Sequence, residues 1–204
     1  LNKKMDLKKY IRSIPDYPKK GILFRDVTTL IKDENAFKSC IDKILEISKK
    51  INFDKIAAIE ARGFLFASPL SYIVNKPLIM LRKENKLPAD KYSVNFKLEY
   101  GTATLEMHKD SINKNEKILI IDDLIASGGT AKAAAQLIEM PGGIVSGFIF
   151  VINLFDLGGL DELKNNSYFT DSLINFPGHW NRVPTRYQDF FPNIAFNKPE
   201  ALAE

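Results

Sequence analysis

The chain has 204 residues, 45% of them hydrophobic and 26% charged, an ordinary globular composition able to bury a core in one large domain. A formal charge of +4 with scattered lysines and arginines makes no case for nucleic acid, whereas small anionic substrates suit it. The single cysteine, Cys40, excludes an internal disulfide, no apolar run approaches a membrane span and neither end resembles a signal segment, so a soluble cytoplasmic protein is expected.

Residues 3 to 11 form a short lysine-rich segment that reads as a surface helix. DYPKKGIL (16 to 23), broken by Pro18 and Gly21, reads as a loop. After Asp33, an N-cap, the spacing of Phe37, Cys40, Ile41, Ile44 and Leu45 predicts a helix to about Ile51. KIAAIE (55 to 60) is a short buried strand, the run after Gly63 a helix, and PLIMLRK (77 to 83) another strand. Alternation in YSVNFKLEY (92 to 100) and TATLEMH (102 to 108) predicts an antiparallel hairpin around Gly101, inserted over the sheet. Ile118 to Ile121 form a strand buried on both faces. TAKAAAQLIEM, after Gly129, is a helix stopped by Pro141, and IVSGFIFVINL (144 to 154) is again a buried strand. From Phe176 onward prolines, aromatics and polar residues mix without a period. Strands alternating with helices predict an α/β fold with a parallel sheet covered on both faces.

The stretch KILIIDDLIASGGT (117 to 130) carries the chemistry. In open parallel sheets ligands bind beyond the carboxyl ends of the strands, which sets Asp122 and Asp123 at the rim. The small residues Ala126, Ser127, Gly128, Gly129 and Thr130 turn tightly and expose backbone N–H groups at a helix N-terminus, a phosphate cradle. The paired carboxylates suit ribose hydroxyls or a magnesium ion. A Gly-Lys-Ser/Thr triphosphate loop and a GxGxxG dinucleotide fingerprint are both missing.

This stretch resembles the phosphoribosyl pyrophosphate motif of the type I phosphoribosyltransferases. PDYPKKGILFRDVTTLIKD (15 to 33), IEARGFLFASPL (59 to 70), LRKENKLP (81 to 88) and LEYGTATLEMHKD (98 to 110) sharpen the likeness toward the adenine-using members, over roughly residues 10 to 155. Ile125 and Ser127 depart conservatively from the family's Leu and Thr, and the tail after Phe176 matches nothing in it. The resemblance implies one domain over residues 1–204: an N-terminal hood (1–35), a core (53–155), a hairpin flap, and an irregular tail (176–204). It implies that Asp122 and Asp123 contact the ribose, and that the loop from Ala126 to Thr130 holds the 5′-phosphate. Glu60 and Ala61, joined by a cis peptide, form a pyrophosphate loop with Arg62. Arg82 and Lys86 stabilise the departing charge, with Lys83 undecided between that role and a solvated loop. Phe24 stacks on adenine while backbone groups of Leu23 and Arg25 read its edge. Glu99, beside Tyr100 in the flap, moves the proton at the imidazole edge.

The expected reaction joins adenine to phosphoribosyl pyrophosphate with Mg²⁺, giving AMP and pyrophosphate, in a homodimer. A phosphoribosyltransferase for another base is the nearest alternative. A non-catalytic regulator that senses phosphoribosyl pyrophosphate would need an added DNA-binding module, and about fifty residues precede the first sheet strand. His108 and His179 lack metal-ligand partners by spacing. Cys40 is expected to be inert, and Trp180 has no assigned role.

Overall fold

The apolar runs become neighbouring strands of one sheet. The computed structural model describes residues 5–97 and 101–178. In chain order these give β1 (Arg12–Pro15), β2 (Leu23–Asp26), α1 (Thr28–Lys32), α2 (Glu34–Ser48), β3 (Lys55–Ile59), α3 (Gly63–Val74) and β4 (Leu78–Lys83). The rest are β5 (Lys91–Lys97), β6 (Thr102–His108), β7 (Lys117–Ile125), α4 (Gly129–Glu139), β8 (Ile144–Leu154), α5 (Gly159–Asn165) and β9 (Thr170–Phe176). Among the described residues the sheet order is β5-β6-β4-β3-β7-β8-β9, with β1 and β2 forming a separate antiparallel pair. The five strands from β4 to β9 run parallel, and β6 and β5 continue that sheet antiparallel beyond β4.

Strand β7 shows why the run reads as continuously apolar. Leu119 and Ile121 pack into the core shared with α2 and α3, while Ile118 and Ile120 pack into the core shared with α4. All four are fully buried. Each such side chain contributes about 1.5–3 kcal/mol by leaving water, so a polar residue on either face would open a core. Helix α2 begins where Asp33 accepts from the N–H groups of Asn35 and Ala36, as its N-cap reading requires.

Three expectations need correction. The lysine-rich start is one 3-10 turn, Leu7–Tyr10, that buries Leu7 before β1 begins, so it is not a surface helix. The core does not end at residue 155, because α5 and β9 follow and β9 pairs with β8 from Phe148↔Thr170 to Leu154↔Phe176. The hairpin extends the sheet edge rather than lying over it, through Arg82↔Glu106 and Lys83↔Leu105. Its residues Phe96, Lys97, Ala103 and Thr104 still reach the site. No helix among the described residues is long and apolar enough to cross a membrane.

The connections fix where a ligand can sit. The chain leaves β3 through α3 to β4 on one side, and leaves β7 through α4 to β8 and then β9 on the other. The order therefore reverses between β3 and β7, and a crevice opens beyond their carboxyl ends.

Candidate active site

A cleft of about 740 Å³ occupies that crevice, walled by the loops after β3 and β7, by β2, and by the hairpin end. Strand β7 enters it asymmetrically. Its pairing with β3 stops at Ala58↔Ile121, whereas its pairing with β8 continues through Leu124↔Ile152 and Ile125↔Asn153. Asp122 and Asp123 thus lie inside β7, at the point where its β3 edge is released into the cleft.

The two carboxylates are held close together. Asp122 accepts from the Asp123 N–H at 2.8 Å. Asp123 is buried and has Arg62 Nε at 2.9 Å from Oδ2, an ion pair too bent to count as a hydrogen bond. Burial drives the Asp122 carboxyl well above its ordinary value, and the neighbouring Asp123 charge adds to the shift. Burial also raises Asp123, against the opposing pull of Arg62. This pair is costly to ionise until something pairs with it.

The loop beyond β7 lines the same cleft from Ala126 to Ala131. Gly128, at φ 87, turns the chain into α4 with a backbone conformation that favours glycine. No side chain caps that helix start, so its first N–H groups stay available. Gly129 must be bare for a second reason: a Cβ there would lie 2.9 Å from the Lys97 carbonyl oxygen. The hairpin end therefore presses on the loop, and Phe96, Lys97, Ala103 and Thr104 form part of the cleft wall.

The loop after β3 supplies the opposite wall. The Glu60–Ala61 peptide is cis, as expected. Gly63 starts α3 so close to β7 that a Cβ would meet the Ile121 carbonyl at 2.8 Å and Asp122 Oδ1 at 3.1 Å. Glu60 accepts from Lys83 N–H at 2.9 Å and from Arg82 Nε at 3.2 Å. Burial alone would raise its pKa, but these donors and the Arg82 and Lys83 charges outweigh it and hold the carboxyl below the usual range. Arg82 also donates to the Lys86 carbonyl, so it braces this loop instead of lining the cleft. Lys86 is exposed and outside the wall, whereas Lys83, left undecided by sequence, is in it.

Phe24 stands half-buried on the cleft wall. Tyr17 meets it edge-on at 5.2 Å between ring centres, and the Arg62 guanidinium lies 5.4 Å from the ring. Alternation turns the neighbouring side chains inward: Leu23 and Arg25 are both buried. Arg25 donates to Ser13 Oγ and, at 2.8 Å, to the Pro177 carbonyl, and it lies over the Phe176 ring at 4.2 Å. Burial lowers its pKa to about 10, with Asp156 opposing the shift. The hood is therefore fastened to the end of β9 directly beneath Phe24.

Several expected residues fall elsewhere. Glu99 and Tyr100 lie outside the described residues, between Lys97 and Gly101 of the hairpin, as do residues 179–204 with His179 and Trp180. Cys40 is buried and its thiol is pushed up to about 12, which fits the inert role expected of it. Tyr17 was missed, because a tyrosine in a Pro/Gly loop carries no periodic signal. Gly159 was missed too, although its backbone touches the loop after β7.

The fold and this cleft define an α/β protein with a ligand-sized crevice at the switch point of its sheet. The chain belongs to the phosphoribosyl transferase family, whose domain model matches residues 26–183. That match runs past residue 155, so the family's domain includes β9. An adenine phosphoribosyltransferase from Pelagibacter ubique is 65% identical over 175 residues, covering 86% of this chain and all of that protein. The crystal structure of adenine phosphoribosyltransferase from Thermoanaerobacter pseudethanolicus superposes with a TM-score of 0.80 at 46% identity, over 83% of this chain and 98% of that one. The Saccharomyces cerevisiae enzyme, solved with an imino-altritol bisphosphate and adenine, gives a TM-score of 0.75 at 30% identity, over 82% and 96%.

Proposed function

We infer that this chain is an enzyme of purine salvage that transfers the 5-phosphoribosyl group from phosphoribosyl pyrophosphate to adenine, giving AMP and pyrophosphate. One observation carries the reading: a carboxylate pair (Asp123 buried, Asp122 half-buried), an uncapped glycine loop and an aromatic wall converge at the switch point of the sheet. The family match and the 65% identity to an adenine phosphoribosyltransferase support it over another base or a non-catalytic sensor.

In this reading the ribose hydroxyls donate to Asp122 and Asp123, and these bonds offset part of the cost of burying the two charges. The N–H groups from Ser127 to Thr130, with the hydroxyls of Ser127 and Thr130, hold the 5′-phosphate. Glu60, Ala61 and Arg62 border the diphosphate, and Lys83 faces it across the cleft. Arg82 and Lys86 add positive potential behind them. Among the described residues no third His, Cys, Asp or Glu joins the two aspartates in a metal cage. The pair therefore fits a magnesium ion that arrives with the donor and keeps waters between itself and the protein. Such an ion supplies charge neutralisation for the diphosphate.

Phe24 offers the stacking face for adenine, with Tyr17 at its edge. Among the described residues β2 pairs with β1 alone, and in this reading its backbone reads the base. Adenine presents an amino donor at C6 and a bare acceptor at N1, which suit the Leu23 C=O and the Arg25 N–H. A 6-oxopurine reverses both and leaves two buried polar groups unpaired, at about 1–3 kcal/mol each. Assayed with phosphoribosyl pyrophosphate and Mg²⁺, hypoxanthine and guanine should turn over on the order of 10²-fold less efficiently than adenine. Rates within a few-fold of adenine would assign the enzyme to another base.

The reading also includes a cytoplasmic homodimer. Helix α3 leaves Leu65, Tyr72 and Ile73 exposed, Tyr72 by 88%, with Met80 of β4 exposed as well. A monomer rarely leaves such an apolar group uncovered. Sedimentation at micromolar concentration should give a dimer for the natural sequence and a monomer for Tyr72→Asp. A monomeric natural chain would count against the assembly. The buried, unreactive Cys40 suits a reducing compartment.

A further inference from the structure

The loop from Ala126 to Gly128 rests on a part of the chain that touches no expected ligand. Gly159, the first residue of α5, donates its N–H to the Ala126 carbonyl at 3.0 Å. The two backbones are so close that a Cβ on Gly159 would overlap the Ala126 oxygen. It would also come within 2.7 Å of Gly128 N and 2.9 Å of Ile125 Cγ1. The closeness is mutual, since a Cβ on Gly128 would lie 3.2 Å from Gly159 Cα. Lys132 of α4 and Glu162 of α5 pair at 2.9 Å and hold the two helices together beside this contact.

Peptide geometry gives the contact a consequence. In a planar trans peptide the carbonyl and the following N–H point in opposite directions. Tying the Ala126 carbonyl back to Gly159 therefore aims the Ser127 N–H the other way, toward the cleft that Ser127 lines. The Gly128 carbonyl is similarly taken, by Lys132 N–H at 2.9 Å.

We propose that Gly159 is a positioning residue for 5′-phosphate recognition: its bare backbone sets the plane of the Ala126–Ser127 peptide. The proposal rests on the reading of residues 126–130 as the phosphate cradle. Any side chain at 159 pushes the loop toward the cleft, where the N–H groups lose their common focus on the phosphate.

The test uses the full chain and two probes, ribose 5-phosphate and adenine, with binding measured by calorimetry. Gly159→Ala should weaken ribose 5-phosphate and raise the donor KM by about tenfold or more, because small misplacements of binding groups are costly. Adenine affinity should hold, and kcat at saturating donor should fall less than KM rises. Gly143→Ala is the stability control, since its Cβ would crowd the Ile138 carbonyl at 2.6 Å, away from the cleft. It should lower the melting temperature while leaving ribose 5-phosphate binding intact. Should Gly159→Ala fail to fold, amide exchange on the natural protein decides. Ribose 5-phosphate, and not adenine, should slow exchange at Gly159. Equal ribose 5-phosphate affinity in Gly159→Ala, or unchanged exchange at Gly159, overturns the proposal. Failure of the natural protein to bind ribose 5-phosphate at all would instead remove the phosphate cradle, and the proposal with it.

Discussion

Replacing Glu99 by leucine should lower kcat by roughly 10²- to 10⁴-fold, the usual contribution of a positioned proton-transfer group. In the proposed reaction the C1′–N9 bond forms as the C1′–oxygen bond to pyrophosphate breaks, and the base loses its imidazole proton. Adenine is a weak nucleophile, so a nearby carboxylate that takes this proton lowers the barrier. Glu99 itself lies outside the described residues, in the hairpin between Lys97 and Gly101. Lys97 and Thr104 both line the cleft, and the Lys97 carbonyl presses on Gly129. Adenine and donor affinities should change little in Glu99→Leu, because the stacking face and the phosphate cradle are untouched. Equilibrium binding beside steady-state rates separates the two effects. A kcat within about threefold of the natural enzyme would remove Glu99 from the mechanism, since proton transfer is worth far more than that.

What the sequence discloses depends on how locally each feature is encoded. β3 and β8 are largely buried on both faces, so their apolar runs were found close to their observed limits, whereas β7 was found only over Ile118–Ile121 because Asp122 and Asp123 interrupt its run before Ile125. The phosphate-type loop was equally legible, because a strand, two aspartates, small residues and a helix follow one another without interruption. Strand β9 was not found. TDSLINF is a sheet-edge strand with most positions half-buried, so it shows neither a run nor a clean alternation. Helix α5, at seven residues, is too short to establish a period. Gly159 gave no signal because the partner that requires it to be bare is Ala126, far away in the chain. The basic residues at the end of β4 divide for the same reason. Lys83 enters the cleft and Arg82 turns to Glu60, a choice set by the packing of β4 beside β3.

The Asp122–Asp123 pair should show opposite effects on binding and on stability. With both residues changed to asparagine, two charge-assisted hydrogen bonds to the ribose become ordinary ones. At about 1 kcal/mol lost for each bond that trades a charged partner for a neutral one, the donor should bind about 30-fold more weakly. The free protein should gain stability at the same time. Both carboxyls are raised by burial, and Asp122 further by its neighbour's charge, so the folded state holds protons that the unfolded chain has released. Stability of the natural protein therefore falls as pH rises from the ordinary carboxylate range through these raised values. Asparagine removes that slope, and the gap in melting temperature should widen with pH until the pair is fully ionised. Part of the gain is offset at residue 123, where Arg62 loses its ion-pair partner. Donor titrations and melting curves, taken at several pH values without magnesium for the curves, measure the two effects separately. Undiminished donor affinity in the double variant would take the ribose away from this pair. A variant less stable than the natural protein at neutral pH would mean that the Arg62 ion pair outweighs the burial of two adjacent charges.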